Sequence, residues 1–202
     1  MASNDLRYPL TESMVHLCVD MQRIFSAEGL WPTPWMDRVL PKITELASRF
    51  PERTVFTRFI TPMRARDMPG MWRRYYMRWA NATREHLDPE MLELMPELRR
   101  LSPPGVIIDK TRYSGFAEPD LTAHLRARGA DGLIVTGSET DVCVLATVLG
   151  AVDLGYRVVV VKDALCSSSD EGHDASMRVY EHRYGEQIEI ANVETILSIW
   201  RR

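Results

Sequence analysis

Three side chains with complementary chemistry each follow a short apolar run of this chain. Asp20 and Lys110 come directly after such runs, and Cys143 comes a few residues after a third one. A carboxylate accepts and returns a proton, an ammonium stabilises a neighbouring negative charge, and a deprotonated thiol is a nucleophile. If the fold brings these three groups to one place, they would make an enzyme with a cysteine nucleophile.

The segment before Cys143 has the pattern of a strand, a tight turn and a helix start. The apolar run at 132–136 stops at Gly137, a polar turn follows, and an apolar helical pattern extends over 142–154. A helix N-terminus carries roughly half a positive charge and several N–H groups without intrahelical partners. Both features favour a thiolate over a thiol, and the N–H groups suit an oxyanion. The sequence therefore predicts a turn that stabilises negative charge at Cys143.

Six short apolar runs have the composition of β-strands, and helical segments lie between them. The runs at 132–136 and 157–162 are nearly continuous in apolar residues, which is typical of parallel strands covered on both faces. This alternation predicts an α/β fold with a doubly wound, mainly parallel six-stranded sheet and helices on both faces. Reactive groups in such sheets gather beyond the carboxyl ends of the strands, where the three candidate residues fall. The predicted strands are 14–20, 54–59, 105–109, 132–136, 157–162 and 187–191, and the predicted helices are 35–50, 121–128, 142–154, one starting at Ser169-Asp170, and 194–200.

Composition and charge narrow the class of protein. The 202 residues are 45% hydrophobic and indicate one domain over 1–202, with an arginine- and aromatic-rich insertion at about 60–104. A formal net charge of -3 argues against nucleic acid or an anionic membrane as a partner. No apolar run reaches the ~20 residues of a membrane span. Three cysteines and an N-terminus without the pattern of a signal peptide predict a cytoplasmic location.

Four segments match a known family in their order along the chain. They are residues 18–22, 109–116, 136–144 and 151–158, with a weaker continuation into Asp163-Ala164. In these residues the chain resembles the isochorismatase-like cysteine hydrolases, which include nicotinamidases, N-carbamoylsarcosine amidases and other small-amide hydrolases. The resemblance covers most of the chain and leaves mainly 60–104 without a clear counterpart.

The resemblance implies a catalytic triad of Asp20, Lys110 and Cys143. It also implies a cis peptide between Ser138 and Glu139, just before the turn that carries the nucleophile. In the implied reaction the Cys143 thiolate attacks an amide carbonyl while Asp20 first accepts the thiol proton and later activates water. Lys110 and the helix start stabilise the negative charges that form. The backbone groups expected to form the oxyanion turn belong to Thr140, Val142 and Cys143.

The second predicted strand lacks the metal ligands of nicotinamidases. Those enzymes carry histidines after this strand, whereas residues 57–62 contain none and no cluster of carboxylates replaces them. We therefore expect no metal and no cofactor. Isochorismatases cleave a vinyl ether and need no nucleophilic cysteine, so Cys143 favours amide or ureido C–N hydrolysis. Two alternatives stay open, an isochorismatase-type ether hydrolase and a non-catalytic scaffold or binding protein with the same fold.

The remaining candidates concern the substrate and the partners. By resemblance Phe25, Tyr113 and Phe116 face a small-molecule substrate. Arg58, at the end of the second strand, either holds a substrate carboxylate or forms a structural salt bridge. The insertion at 60–104 is interpreted first as an interface between copies of the chain, second as a lid for anionic substrates, and last as a nucleic-acid platform. We accordingly expect a homo-oligomer, a dimer or a tetramer. The interface would use Trp72, Tyr75, Tyr76 and Trp79, and Trp31 and Trp35 would form an aromatic rim.

Overall fold

A computed structural model describes residues 6–201 of the chain. Residues 1–5, on which the expected absence of a signal peptide partly depends, lie outside the described residues. Six strands form one sheet in the order β3-β2-β1-β4-β5-β6, and all five neighbouring pairs are parallel. The predicted α/β fold class is confirmed. The strands are β1 Val15–Val19, β2 Thr54–Phe59, β3 Val106–Lys110, β4 Gly132–Ser138, β5 Arg157–Cys166 and β6 Ile188–Ala191.

Helices cover both faces of the sheet, and each face has its own apolar core. Alternate residues of β1 point to opposite cores: Cys18 packs in one, Leu17 and Val19 in the other. This arrangement explains why β1 and β4 are nearly continuous in apolar residues, since both sides of these strands are buried. The helices are α1 Met36–Arg49, α2 Gly70–Arg78, α3 Pro96–Arg99, α4 Pro119–Ala127, α5 Leu145–Asp153, α6 Asp170–Arg183 and α7 Val193–Ile199.

The helix boundaries follow from local chemistry. The Ser169 hydroxyl accepts a hydrogen bond from the Gly172 N–H and begins α6 at the predicted residue. The helix predicted at 142–154 differs, because a π-helical turn over Thr140–Val144 precedes α5. Such single wide turns occur most often at functional sites. None of the helices in residues 6–201 is long and apolar enough to cross a membrane.

The segment at 60–104 packs beside the carboxyl ends of the first three strands. It carries α2, α3 and several short 3₁₀ turns. Tyr76 of α2 is fully buried, and Tyr75 and Trp79 lie with their ring centroids 6.2 Å and 5.8 Å from that of Trp31. The aromatic side chains of this segment therefore contact the rest of the same chain at the edge of the sheet where the candidate residues end.

Candidate active site

Asp20 ends β1 in a strained backbone conformation that its neighbour on β2 supports. Its φ of 48° is the only positive φ of a non-glycine residue in the part of the chain that the structure describes. The Asp20 N–H donates to the Thr57 carbonyl oxygen at 3.2 Å, and the Thr57 hydroxyl donates to Asp20 Oδ1 at 2.6 Å. The carboxylate, which is fully buried, is thus fixed from the neighbouring strand.

Lys110 is the last residue of β3 and pairs in register with Phe59 of β2. Its Nζ lies 2.6 Å from Asp20 Oδ2, and the two side chains are 1% and 0% exposed. The ammonium also donates to the Arg112 carbonyl oxygen at 3.0 Å and lies 5.1 Å from the centroid of the Phe59 ring. Burial opposes the charged form of Lys110, but Asp20 and Cys143 outweigh it, and the pKa of Lys110 is raised. The carboxyl ends of β1 and β3 therefore hold a buried ion pair.

Cys143 lies in the π-helical turn that follows β4. The turn is set up by Gly137, whose φ is +119° and where a Cβ atom would lie 2.1 Å from the Val19 carbonyl oxygen, so only glycine fits here. The Ser138–Glu139 peptide is cis, as the resemblance implies. These two features carry the chain from β4 across the end of β1. Asp20 and Cys143 consequently flank the point where the strand order reverses, which is the usual binding crevice of such sheets.

The structure brings Asp20, Lys110 and Cys143 together, with an electrostatic balance that differs from the predicted one. The Cys143 side chain is 4% exposed. Burial raises the pKa of the Cys143 thiol; Lys110 lowers it, and Asp20 raises it again through its charge and a hydrogen bond. Desolvation thus outweighs the helix start and the ammonium and favours the thiol. The Cys143 thiol lies beside the Asp20 carboxylate, and its role as nucleophile stays a prediction.

The backbone of the turn only partly agrees with the predicted oxyanion site. The Val142 N–H donates to the Glu139 carbonyl oxygen at 3.1 Å, and the Val144 N–H donates to the same oxygen at 3.0 Å. The assignment of Val142 is therefore wrong, because the turn itself uses this donor. The Thr140 hydroxyl donates to the Cys166 carbonyl oxygen at 3.1 Å and anchors the turn to β5. The roles of the Thr140 and Cys143 backbone stay predictions.

A cavity of about 340 Å³ opens above Cys143. Aromatic side chains form most of its wall, and the predicted substrate residues Phe25 and Tyr113 are among them. Tyr75 and Trp79 of the 60–104 segment also line it, which supports the lid interpretation of that segment. The interface interpretation and the expected oligomer stay predictions. The lining residues are Phe25, Leu30, Trp31, Pro32, Phe59, Tyr75, Trp79, Tyr113, Glu139, Val142, Cys143 and Ser168.

Two other predicted substrate residues lie outside this cavity. Arg58 donates to both carboxylate oxygens of Asp109 at 2.8 Å and 3.0 Å and to Glu93 at 2.6 Å, so the salt-bridge alternative is correct. Phe116 stacks on Tyr156 with ring centroids 6.1 Å apart and packs in the core on the α4–α6 side of the sheet. Both were assigned from their proximity in sequence to a strand end, which does not fix the direction of a side chain.

The predicted aromatic rim is only half correct. Trp31 lines the cavity, whereas Trp35 lies against His173, with ring centroids 5.4 Å apart. Within residues 6–201 no group of three or more His, Cys, Asp or Glu side chains is arranged to hold a metal ion.

Sequence reasoning missed two residues that position the site and one that lines it. Thr57 fixes the Asp20 carboxylate, as described above. The buried Gln22 amide donates to the carbonyl oxygens of Phe59 and Leu92 at 3.1 Å and 2.7 Å, and so ties the β1 loop to β2 and to the 60–104 segment. Gln22 stood inside a matched segment, which was the available signal. Glu139 appeared only as part of the cis peptide, but its side chain lines the cavity.

Comparisons with known proteins agree with this geometry. The family model of the isochorismatase domain matches residues 14–192. An uncharacterised isochorismatase family protein of Bacillus subtilis is 41% identical over 81 residues, which are 40% of this chain and 44% of that protein. A ureidoacrylate amidohydrolase of Variovorax paradoxus is 43% identical over 72 residues, which are 36% of this chain and 28% of that protein. The chain therefore spans less than half the length of these two relatives. A crystal structure of a cysteine hydrolase from Pseudomonas syringae pv. phaseolicola superposes with a TM-score of 0.81 at 25% identity, covering 99% of this chain and 100% of that one.

Proposed function

The chain belongs to the isochorismatase family, and on this premise we propose that it hydrolyses a small-molecule amide or ureido C–N bond through a thioester on Cys143. The observation that carries the proposal is the buried ion pair of Asp20 and Lys110, joined at 2.6 Å beside a thiol at the base of the cavity. The amidohydrolase among the relatives supports C–N chemistry.

The proposed reaction proceeds through an acyl-enzyme. The Cys143 thiol gives its proton to the Asp20 carboxylate as sulfur attacks the carbonyl carbon of the substrate. Backbone N–H groups of the turn stabilise the oxyanion that forms. When the C–N bond breaks, Asp20 returns the proton to the leaving nitrogen. Asp20 then takes a proton from water, which attacks the thioester, and the thiol recovers that proton as the acid is released.

Lys110 gives this cycle its electrostatic support. Proton transfer from Cys143 to Asp20 moves a negative charge from the carboxylate to sulfur, and both side chains are buried. Both positions lie close to the Lys110 ammonium, which interacts with each of them. The negative charge is therefore paired before and after the transfer, and less reorganisation is needed at the moment of reaction.

The experiment is intact-protein mass spectrometry after brief exposure to a panel of small primary amides and ureido compounds. Wild type is compared with Cys143→Ala and with Cys166→Ala, which removes another buried thiol. We expect a mass increment on wild type and on Cys166→Ala, and none on Cys143→Ala.

Two other outcomes would contradict the proposal. Substrate turnover that survives in Cys143→Ala but requires Asp20 would indicate ether hydrolysis. An absence of both adduct and turnover, together with a thiol inert to alkylation, would indicate a non-catalytic binding protein.

A further inference from the structure

Glu139 is the one charged side chain among the residues that line the cavity. It directly follows Ser138, the last residue of β4, and its side chain lines the cavity together with Cys143. The other lining side chains are aromatic, aliphatic or small, apart from the catalytic thiol and the Ser168 hydroxyl. A lone carboxylate in an apolar wall is costly unless a ligand or a partner compensates it.

Ser168 compensates this charge in part, and no described cation does. Glu139 Oε1 accepts a hydrogen bond from the Ser168 N–H at 3.3 Å, the Ser168 side chain also hydrogen-bonds the carboxylate, and Glu139 forms no ion pair within residues 6–201. Burial raises the pKa of Glu139, the hydrogen bonds from Ser168 lower it, and the neighbouring acids Asp141 and Asp20 raise it further. The carboxylate therefore sits in surroundings that disfavour its charge.

Two cations that contact aromatic rings of the cavity wall are engaged elsewhere. Lys110 is paired with Asp20, and the guanidinium of Arg78 stacks on Trp79 at 5.9 Å from the ring centroid. Neither of these cations lines the cavity. With Cys143 as a thiol, Asp20, Lys110 and Glu139 leave one net negative charge at the site. A substrate carboxylate would add a second one, and within residues 6–201 no Lys or Arg lines the cavity to meet it. Arg58 is paired with its own carboxylates.

Aromatic rings surround the same space. The Trp31 ring lies 6.0 Å from Phe25, 6.3 Å from Phe59, 6.2 Å from Tyr75 and 5.8 Å from Trp79, measured between centroids. Ring faces attract cations, and substituted ammonium groups are the ligands that aromatic cages with a nearby acid recognise best.

We propose that the substrate is a small amide whose far end carries a substituted ammonium group, and that Glu139 is the residue that selects it. The proposal rests on the amide hydrolysis proposed above for Cys143. It sets this site apart from one for ureido acids, because a carboxylate at the far end of the substrate would meet Glu139.

The test measures binding of three matched amides to the Cys143→Ala variant by calorimetry. The first is the amide of γ-butyrobetaine. The second is its neutral isostere, with a tert-butyl group in place of trimethylammonium, and the third is glutaramate, which places a carboxylate at a similar distance. We expect the cationic amide to bind about tenfold to a hundredfold more tightly than the neutral one, and glutaramate to bind most weakly.

Glu139→Gln in the same background keeps the oxygen that accepts from Ser168 and removes the charge. The substitution should bring the affinity of the cationic amide close to that of the neutral isostere, and it should strengthen the binding of glutaramate. The neutral isostere should bind as before, which would show that the pocket is intact. Glu186→Gln, which removes a carboxylate whose side chain is 90% exposed, should change none of the three.

Three results would overturn the proposal. The affinity order could be unaffected by Glu139→Gln, the site could prefer the neutral amide or glutaramate, or none of the three amides could bind. Binding needs no turnover, so the proposed reaction is judged separately, by the mass increment on wild type. If the affinities follow the expected order but no thioester forms, the proposed hydrolysis is refuted and the charge selection stands. If a thioester forms but the affinities follow the reverse order, only the charge selection is refuted.

Discussion

Replacing Lys110 with methionine removes a buried charge while keeping a side chain of similar length. The loss in free energy of unfolding follows from the ion pair that Lys110 forms with Asp20. At 2.6 Å and an effective dielectric constant of 20, the attraction between the two charges is about 6 kcal/mol. Desolvation of both ions offsets much of this attraction in the wild type. The variant still buries Asp20 without its partner, which typically costs about 3–5 kcal/mol. Total stabilities are about 5–15 kcal/mol, so Lys110→Met should be severely destabilised.

The assay is urea unfolding followed by circular dichroism, applied to a double-mutant cycle. Asp20→Asn combined with Lys110→Met removes both charges, so the double variant should recover about 2 kcal/mol or more relative to Lys110→Met alone. Lys42→Met is the control, because the Lys42 side chain is 48% exposed in its ion pair with Asp163, and it should cost under about 1 kcal/mol. A loss at Lys110 as small as that at Lys42, or no recovery in the double variant, would refute the ion-pair argument.

Two further predictions concern pH. Because the Cys143 pKa is raised, its alkylation by iodoacetamide should become about tenfold faster per pH unit between about pH 7 and about pH 9. Peptide mapping measures this rate. A rate that levels off below about pH 8 would indicate a stabilised thiolate instead. Burial lowers the pKa of His16 to about 3, so the folded state keeps this ring neutral and loses stability by about 1.4 kcal/mol per pH unit as pH falls below about 6.5. In urea unfolding at a series of pH values His16→Gln should lack this slope, and an unchanged slope would assign it to other groups.

The strands, and the edge of the sheet at which the candidate site lies, were predictable because the sequence patterns that indicate them are local. A strand buried on both faces must be apolar along its whole length, and β2 has the predicted bounds while β1 differs by one residue at each end. The carboxyl ends of parallel strands lie at one edge of the sheet. The alternation of strands and helices along the sequence therefore predicts that Asp20, Lys110 and Cys143 lie close together.

The errors came from contacts that only the tertiary structure makes. Arg58 faces Asp109 because the two residues pair in register across β2 and β3, and its second partner, Glu93, comes from the 60–104 segment. Neither contact leaves a periodic pattern in the sequence. Phe116 and Tyr113 both follow β3 and both pack against the same core, but of the two it is Tyr113 that also lines the cavity. A difference of three residues within a turn decides which of the two reaches the cavity.

The protonation state of Cys143 shows most clearly how burial can reverse a local argument. A helix start favours a thiolate by a modest amount, typically about 0.3–1 kcal/mol and up to about 2 kcal/mol where the charge is partly buried. At a side chain that is 4% exposed, the free energy of desolvating sulfur exceeds that contribution, and the proton stays on the thiol. In the proposed reaction a resting thiol gives Asp20 a defined role, since a neighbouring base then generates the nucleophile. The proposal also gives a reason for the burial of Lys110 beside them, because the same ammonium would stabilise the carboxylate before the proton moves and the sulfur afterwards.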